Sequence, residues 1–145
     1  MDDLGTALKR LLASQIAMFL KAQGHHWNVE GPMFHQFHDF FSDIYTDVYG
    51  SVDPTAENIR KIGQYAPFML PTLDKLREVE DVKVSTDPMD MCDDLLKAND
   101  AVLEAIALAA EAAEEADEEG ILNFLAERDD MHKKWRWQLT ATTKQ

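Results

Sequence analysis

Apolar residues recur at spacings of three and four along nearly the whole chain. Leu8, Leu11, Leu12, Ile16, Phe19 and Ala22 draw one stripe, which predicts an amphipathic helix from Leu4 to about Asn28. Gly31-Pro32 then marks a turn. A second helix is expected over about residues 33–62, with Phe34, Phe37, Phe41, Ile44 and Val48 on its apolar face. Pro54 lies inside that pattern. It has no N–H and clashes with the preceding turn, so it is expected to kink the helix, or to end and restart it.

Residues 63–88 carry turn residues at both ends. Pro71-Thr-Leu-Asp-Lys-Leu-Arg within them reads as a short helix with proline near its start. A third long helix is expected from near Asp87-Pro88, with Asp87 as its cap and Asp90 in its first turn. Cys92, Leu95, Leu96, Val102, Leu103, Ile106 and Ala110 follow one face. An acidic stretch, 111–119, leads to Gly120, where a break is expected. Ile121, Leu125, His132, Trp135 and Leu139 mark a fourth helix. The expectation is an all-α fold: one domain over 1–145, a four-helix bundle of ferritin-like connectivity. Its short extra helix lies in the crossover between helices two and three.

Composition narrows the function classes. The 145 residues are 46% hydrophobic and 28% charged, within the range of ordinary globular chains. No apolar run is long enough to span a membrane, so no membrane partner is expected. The start, Met-Asp-Asp-Leu-Gly, lacks the basic and apolar regions of a signal peptide, and the single cysteine, Cys92, cannot pair internally. Together these features predict a cytoplasmic protein. The net charge of −13 repels nucleic acid and attracts metal cations. Lys9 and Arg10 are offset by Asp2 and Asp3, and the last ten residues hold only Arg136 and Lys144, so no basic tail is present. Direct DNA binding is therefore not expected.

Candidate chemistry concentrates at His26, His38, Ser42, Asp53 and Glu57. Imidazole with carboxylate suits Fe(II), among other first-row metals. Asp53 and Glu57 stand one helical turn apart and can share an ion. His38 and Asp53 are fifteen residues apart, roughly 22 Å along a straight helix at ~1.5 Å per residue. One chain therefore cannot place both on one metal. An antiparallel two-fold partner would bring His38 of one chain to Asp53 and Glu57 of the other, which makes the metal reading an oligomer reading. Plainer roles compete for each residue: Asp53 as a cap before Pro54, Glu57 as a solvated charge, and His26 as a hydrogen-bonded core histidine.

The sequence His26-Trp-Asn-Val-Glu-Gly-Pro-Met-Phe34, then Phe37-His38-Asp39-Phe40-Phe41, resembles the Dps family of mini-ferritins. Asp53-x-x-Ala56-Glu57-x-Ile59-Arg60-x-Ile62-Gly63 continues the likeness at matching spacing, and it extends to Trp135. The resemblance implies a hollow homododecamer. It takes up Fe(II), oxidises it at two-fold interfaces with hydrogen peroxide, and stores ferric mineral inside. By position, His26 and His38 of one chain and Asp53 and Glu57 of its partner would be the metal ligands and ferroxidase residues. Where the family usually has an aspartate, four residues after the second histidine, this chain has Ser42. That departure favours one alternative: a cage with weak or no ferroxidase activity that acts as a metal sink.

Two acidic groups accompany the site. His35, Asp39, Asp43 and Asp47 stand at four-residue steps. They read either as a solvated face or, given the family fold, as a cavity wall where iron nucleates. Asp117, Glu118 and Glu119 read either as ordinary helix-start acids or as the lining of a three-fold iron-entry pore. His25 is expected to be a surface neighbour of the motif. His132 and the tryptophans Trp27, Trp135 and Trp137 are expected to be packing or interface residues. A di-iron site inside one subunit would need Glu-x-x-His, and the nearest match is Asp129-x-x-His132.

Overall fold

The computed structural model describes residues 3–144; Met1, Asp2 and Gln145, and with them the expected charge of Asp2, lie outside the described residues. Five helices follow in order: α1 (Leu4–Asn28), α2 (Phe34–Lys61), α3 (Leu70–Leu76), α4 (Pro88–Glu115) and α5 (Glu119–Thr143). The two hairpins α1/α2 and α4/α5 pack together through α1 and α4, and α3 leans on α1. This is the expected four-helix bundle with a short helix in its crossover.

The apolar stripes meet in one core. Leu8, Leu11, Leu12 and Met18 of α1 interdigitate with Phe41, Ile44, Val48 and Ile59 of α2. Met91, Leu95, Val102 and Ile106 of α4 and Leu125 and Leu139 of α5 complete it. Each of these side chains contributes about 1.5–3 kcal/mol by leaving water. Cys92 sits among them as a free thiol, and burial, with Asp93 and Asp87 nearby, pushes its pKa up to about 12. Leu73 and Val79 anchor the crossover, and the Glu78 N–H donates to Ser14 Oγ of α1 at 3.1 Å. No helix among the described residues is long and apolar enough to cross a membrane.

Helix ends follow the side chains available. The Asp3 carboxylate accepts from the Thr6 N–H at 2.7 Å and starts α1. Gly31, at φ 118°, makes the turn into α2, a backbone state open to glycine. Asp87 caps α4 with Pro88 in the first turn, as expected.

Two expectations are narrowed or corrected. Pro54 neither ends nor restarts the helix: α2 runs through it. The Gly50 carbonyl loses its donor there, but Gly50 is exposed and water reaches it. On either side, Ser51 Oγ donates to the Val48 carbonyl (2.6 Å) and Thr55 Oγ1 to the Ser51 carbonyl (2.8 Å). The second correction concerns Gly120, which lies inside α5. The break falls at residues 116–118, where Asp117 adopts φ 57°. There the Glu118 N–H donates to the Ala113 carbonyl (2.9 Å) and the Asp117 N–H to the Glu114 carbonyl (3.1 Å). This is the paired closure that a left-handed residue gives a helix end, with aspartate where glycine is commonest. Asp117→Gly is expected to stabilise the fold by about 0.5–1 kcal/mol, less the entropy glycine adds to the unfolded chain. Urea unfolding checks this; a loss of stability would mean the carboxylate contributes more than the strain costs.

Candidate metal centre

His26 closes α1 and His38 opens α2, so the turn at 29–33 brings them face to face. Their rings stack with centroids 3.7 Å apart. His26 Nδ1–H donates to the His38 carbonyl and His38 Nδ1–H donates to the His26 carbonyl, each at 2.7 Å. A carbonyl only accepts, so each Nδ1 must carry the proton. In the neutral ring this leaves the Nε2 lone pair free, the form a metal needs. Phe34 stacks on His38 at 4.9 Å and Tyr45 meets His26 edge-on at 5.2 Å, which fixes the ring planes. Both histidines are half-buried.

Asp53 and Glu57 lie far along α2, and both are exposed. Because α2 continues through Pro54, Asp53 is not a helix cap, and the competing role for it disappears. Neither carboxylate has a hydrogen bond or ion pair among the described residues. Within one chain, no three His, Cys, Asp or Glu side chains among the described residues could hold a metal ion together. The chain thus presents two half-sets of ligands on one helical hairpin: a pair of imidazoles at one end and a pair of carboxylates further along. Ser42, one turn beyond His38, is half-buried.

The acidic groups divide. Asp39 and Asp43 are exposed, as are His35, Asp117 and Glu119, and Glu118 is half-buried. Asp47 is committed elsewhere. Arg128 of α5 forks onto it, with Nη1 to Oδ1 and Nη2 to Oδ2 both 2.9 Å, and Trp135 Nε1–H donates to Oδ2 at 2.8 Å. Burial raises the Asp47 pKa, but the Arg128 and Trp135 hydrogen bonds more than offset this and hold it below the ordinary carboxylate value. Asp47 therefore reads as a link between α2 and α5 and not as a free iron-collecting group.

Arg128 Nη2 also donates to His132 Nε2 at 2.8 Å, and His132 Nδ1–H donates to Asn99 Oδ1 at 2.8 Å. Asn99 Nδ2 returns a bond to the His132 carbonyl, also 2.8 Å. His132 is the expected packing residue, but it packs within a buried polar chain. His25 corrects its expectation: it is buried, and its Nε2 pairs with Asp94 Oδ2 at 2.8 Å beside Lys21. It follows Met18 and Ala22 at helical spacing, so it faces α4 while His26 faces α2. Sequence reasoning also missed Tyr45, whose signal was its place seven residues, about two turns, after His38. A groove of about 600 Å³ between α1, α3 and residues 81–84 is lined by none of the candidate ligands.

Comparison with known proteins identifies the family and supports the fold. The ferritin-like domain family matches residues 5–145. The "DNA protection during starvation protein" of Brevibacillus brevis is 28% identical over 134 residues, 92% of this chain and 90% of its own length. The protein of that name from Helicobacter pylori is 33% identical over 91 residues, 62% of this chain and 63% of its own. The crystal structure of the Dps protein from Vibrio cholerae superposes with a TM-score of 0.93 at 26% identity, covering 97% of this chain and 89% of that one. That protein is a member of a broad superfamily of ferritin-like diiron-carboxylate proteins. The Bacillus brevis Dps structure gives a TM-score of 0.92 at 24% identity, over 97% and 95% of the two chains.

Proposed function

Because this chain belongs to the Dps mini-ferritins, within the ferritin-like domain family, we propose that it binds Fe(II) between two subunits, oxidises it with hydrogen peroxide, and stores the ferric product inside a closed dodecamer. The observation that carries this reading is the reciprocal histidine clamp, which holds two Nε2 lone pairs ready side by side. His26 and His38 of one chain supply the nitrogen ligands, and Asp53 and Glu57 of the partner subunit supply the oxygen ligands. The two carboxylates, exposed and unpaired among the described residues, balance the charge of one Fe(II). The oxidised ion then moves to the exposed acids Asp39 and Asp43, with Asp117, Glu118 and Glu119 at the entry path. Asp47 is left out of this route, since Arg128 holds it.

Ser42 sets the rate. A hydroxyl in place of a carboxylate removes one hard, charged oxygen ligand from the iron. Ser42→Asp is expected to tighten Fe(II) binding by on the order of tenfold or more, and to raise the oxidation rate with it. Stopped-flow absorbance after mixing Fe(II)-loaded protein with peroxide measures the second effect. A wild-type rate equal to that of the protein-free control would leave the metal-sink cage in place of the ferroxidase. An unchanged rate and affinity in Ser42→Asp would show that the serine is not the weak point.

A further inference from the structure

A carboxylate of the second hairpin grips the end of α1 that carries the histidine clamp. Asp94, in the second turn of α4, accepts from Lys21 Nζ at both oxygens, 3.0 and 2.9 Å, and from His25 Nε2–H at 2.8 Å. The side chains of Lys21, His25 and Asp94 keep only 8%, 11% and 10% of their surface exposed. Burial raises the Asp94 pKa, but the His25 and Lys21 hydrogen bonds more than offset this and hold it below the ordinary carboxylate value. The carboxylate is therefore ionised and only accepts, so His25 Nε2 carries the proton.

Lys21 and His25 stand four residues apart, about one turn and ~6 Å along α1. Two grips at that separation hold the helix against both sliding and turning. His26 follows His25 directly and lies about 100° around the helix. Beyond His26, the Glu30 N–H donates to the Thr86 carbonyl at 3.0 Å, at the end of the crossover and just before α4. The clamp's own hydrogen bonds join α1 to α2, so they move with that hairpin and cannot fix its place on the bundle. At a side-chain radius of ~5–6 Å, a turn of α1 by about 10° would carry the His26 ring ~1 Å. A displacement of that size is enough to spoil a ligand set.

We propose that Asp94 is a positioning residue for the histidine pair: through Lys21 and His25 it pins the end of α1 to α4, and so fixes where His26 and His38 meet the partner subunit's Asp53 and Glu57. This rests on the iron-site reading above. Asp94 touches no iron and acts through the α1 backbone. The stack of the two rings does not depend on it; the place of the pair on the bundle does.

The test uses the assembled protein. In Asp94→Asn, anaerobic calorimetry should find Fe(II) affinity reduced by about tenfold. Lys21→Met leaves the His25 grip, so it should lose less, in the same direction; it carries the test should Asp94→Asn fail to assemble. Asp47→Asn breaks the matching pair with Arg128 between α2 and α5, and should leave Fe(II) affinity unchanged although it also weakens the fold. In the metal-free protein, amide hydrogen exchange read by mass spectrometry should be about tenfold or more faster over residues 26–33 in Asp94→Asn than in Asp47→Asn. Three results would overturn the assignment: wild-type affinity in Asp94→Asn, an equal loss in Asp47→Asn, or unchanged exchange over residues 26–33. Failure of the wild type to bind Fe(II) would instead remove the iron-site reading. The exchange result, read without metal, would still decide whether Asp94 holds the clamp in place.

Discussion

Two variants that cannot bind iron are expected to regain binding when they are mixed. In the first, His26 and His38 are both replaced by alanine; in the second, Asp53 and Glu57 are. Each removes half of the ligand set from every site, so anaerobic Fe(II) calorimetry should show affinity reduced by on the order of a hundredfold or more. Each variant nevertheless keeps the half that the other has lost. If both are dissociated and reassembled at equal concentration, half of the two-fold pairs are mixed. Each mixed pair has one complete site and one empty site, so about a quarter of all sites should recover wild-type affinity. A mixture no better than its components would defeat the shared site. Full binding by either variant alone would defeat its ligand assignment.

Acidification is expected to weaken the fold well before the carboxylates titrate, through His132. Burial first, and then the Arg128 guanidinium, push its pKa from 6.5 down to about 3. Its Nε2 already accepts from Arg128, so a proton there would put two cations in contact. The folded chain thus keeps this ring neutral across a window in which the unfolded chain protonates it. The unfolded state binds more protons there, so stability rises with pH between about 3 and 6.5 and falls as pH drops through that window. The slope is at most about 1.4 kcal/mol per pH unit, or about 2 kcal/mol from pH 6.5 to about pH 5. Asp47 and Asp94 add a further loss. Their lowered pKa values contribute stability above the ordinary 3.8, and it disappears as pH falls through the folded-state values. Urea unfolding in steps through the window should show the slope in the wild type and a shallower one in His132→Gln, whose amide can still meet Arg128 and Asn99. Equal slopes would mean that His132 does not titrate as the buried chain requires.

The helices were legible because burial follows a 3.6-residue period, and α1 and α2 lie where their apolar stripes place them. Local signals were weaker guides. Pro54 carries the strongest helix-breaking signal in the chain, yet packing of Ile44, Val48 and Ile59 on the same face holds α2 together across it. Gly120 drew attention as a break, but the left-handed residue is Asp117, three positions earlier, because the closing hydrogen bonds select a position and not the most permissive residue nearby. His25 was misplaced through attention to its motif neighbour, although its spacing from Met18 and Ala22 was in plain view. For the candidate ligands, the spacing predicts two groups that one chain cannot unite, and among the described residues no three such side chains meet. Spacing could not show that each imidazole is locked by the other's backbone, since that depends on the turn. Nor could it show that Asp47 is taken by Arg128, a partner 81 residues away.

The clamp also decides which side of the proposed iron site moves. Turning either ring breaks its own hydrogen bond and the 3.7 Å stack at once. The imidazoles therefore act as a fixed jaw. The carboxylates, exposed and unpaired among the described residues, would be the moving jaw. In the proposed site, iron would then enter and leave by the swing of Asp53 and Glu57 of the partner subunit, and stiffening the two-fold contact is expected to slow turnover without touching a nitrogen ligand.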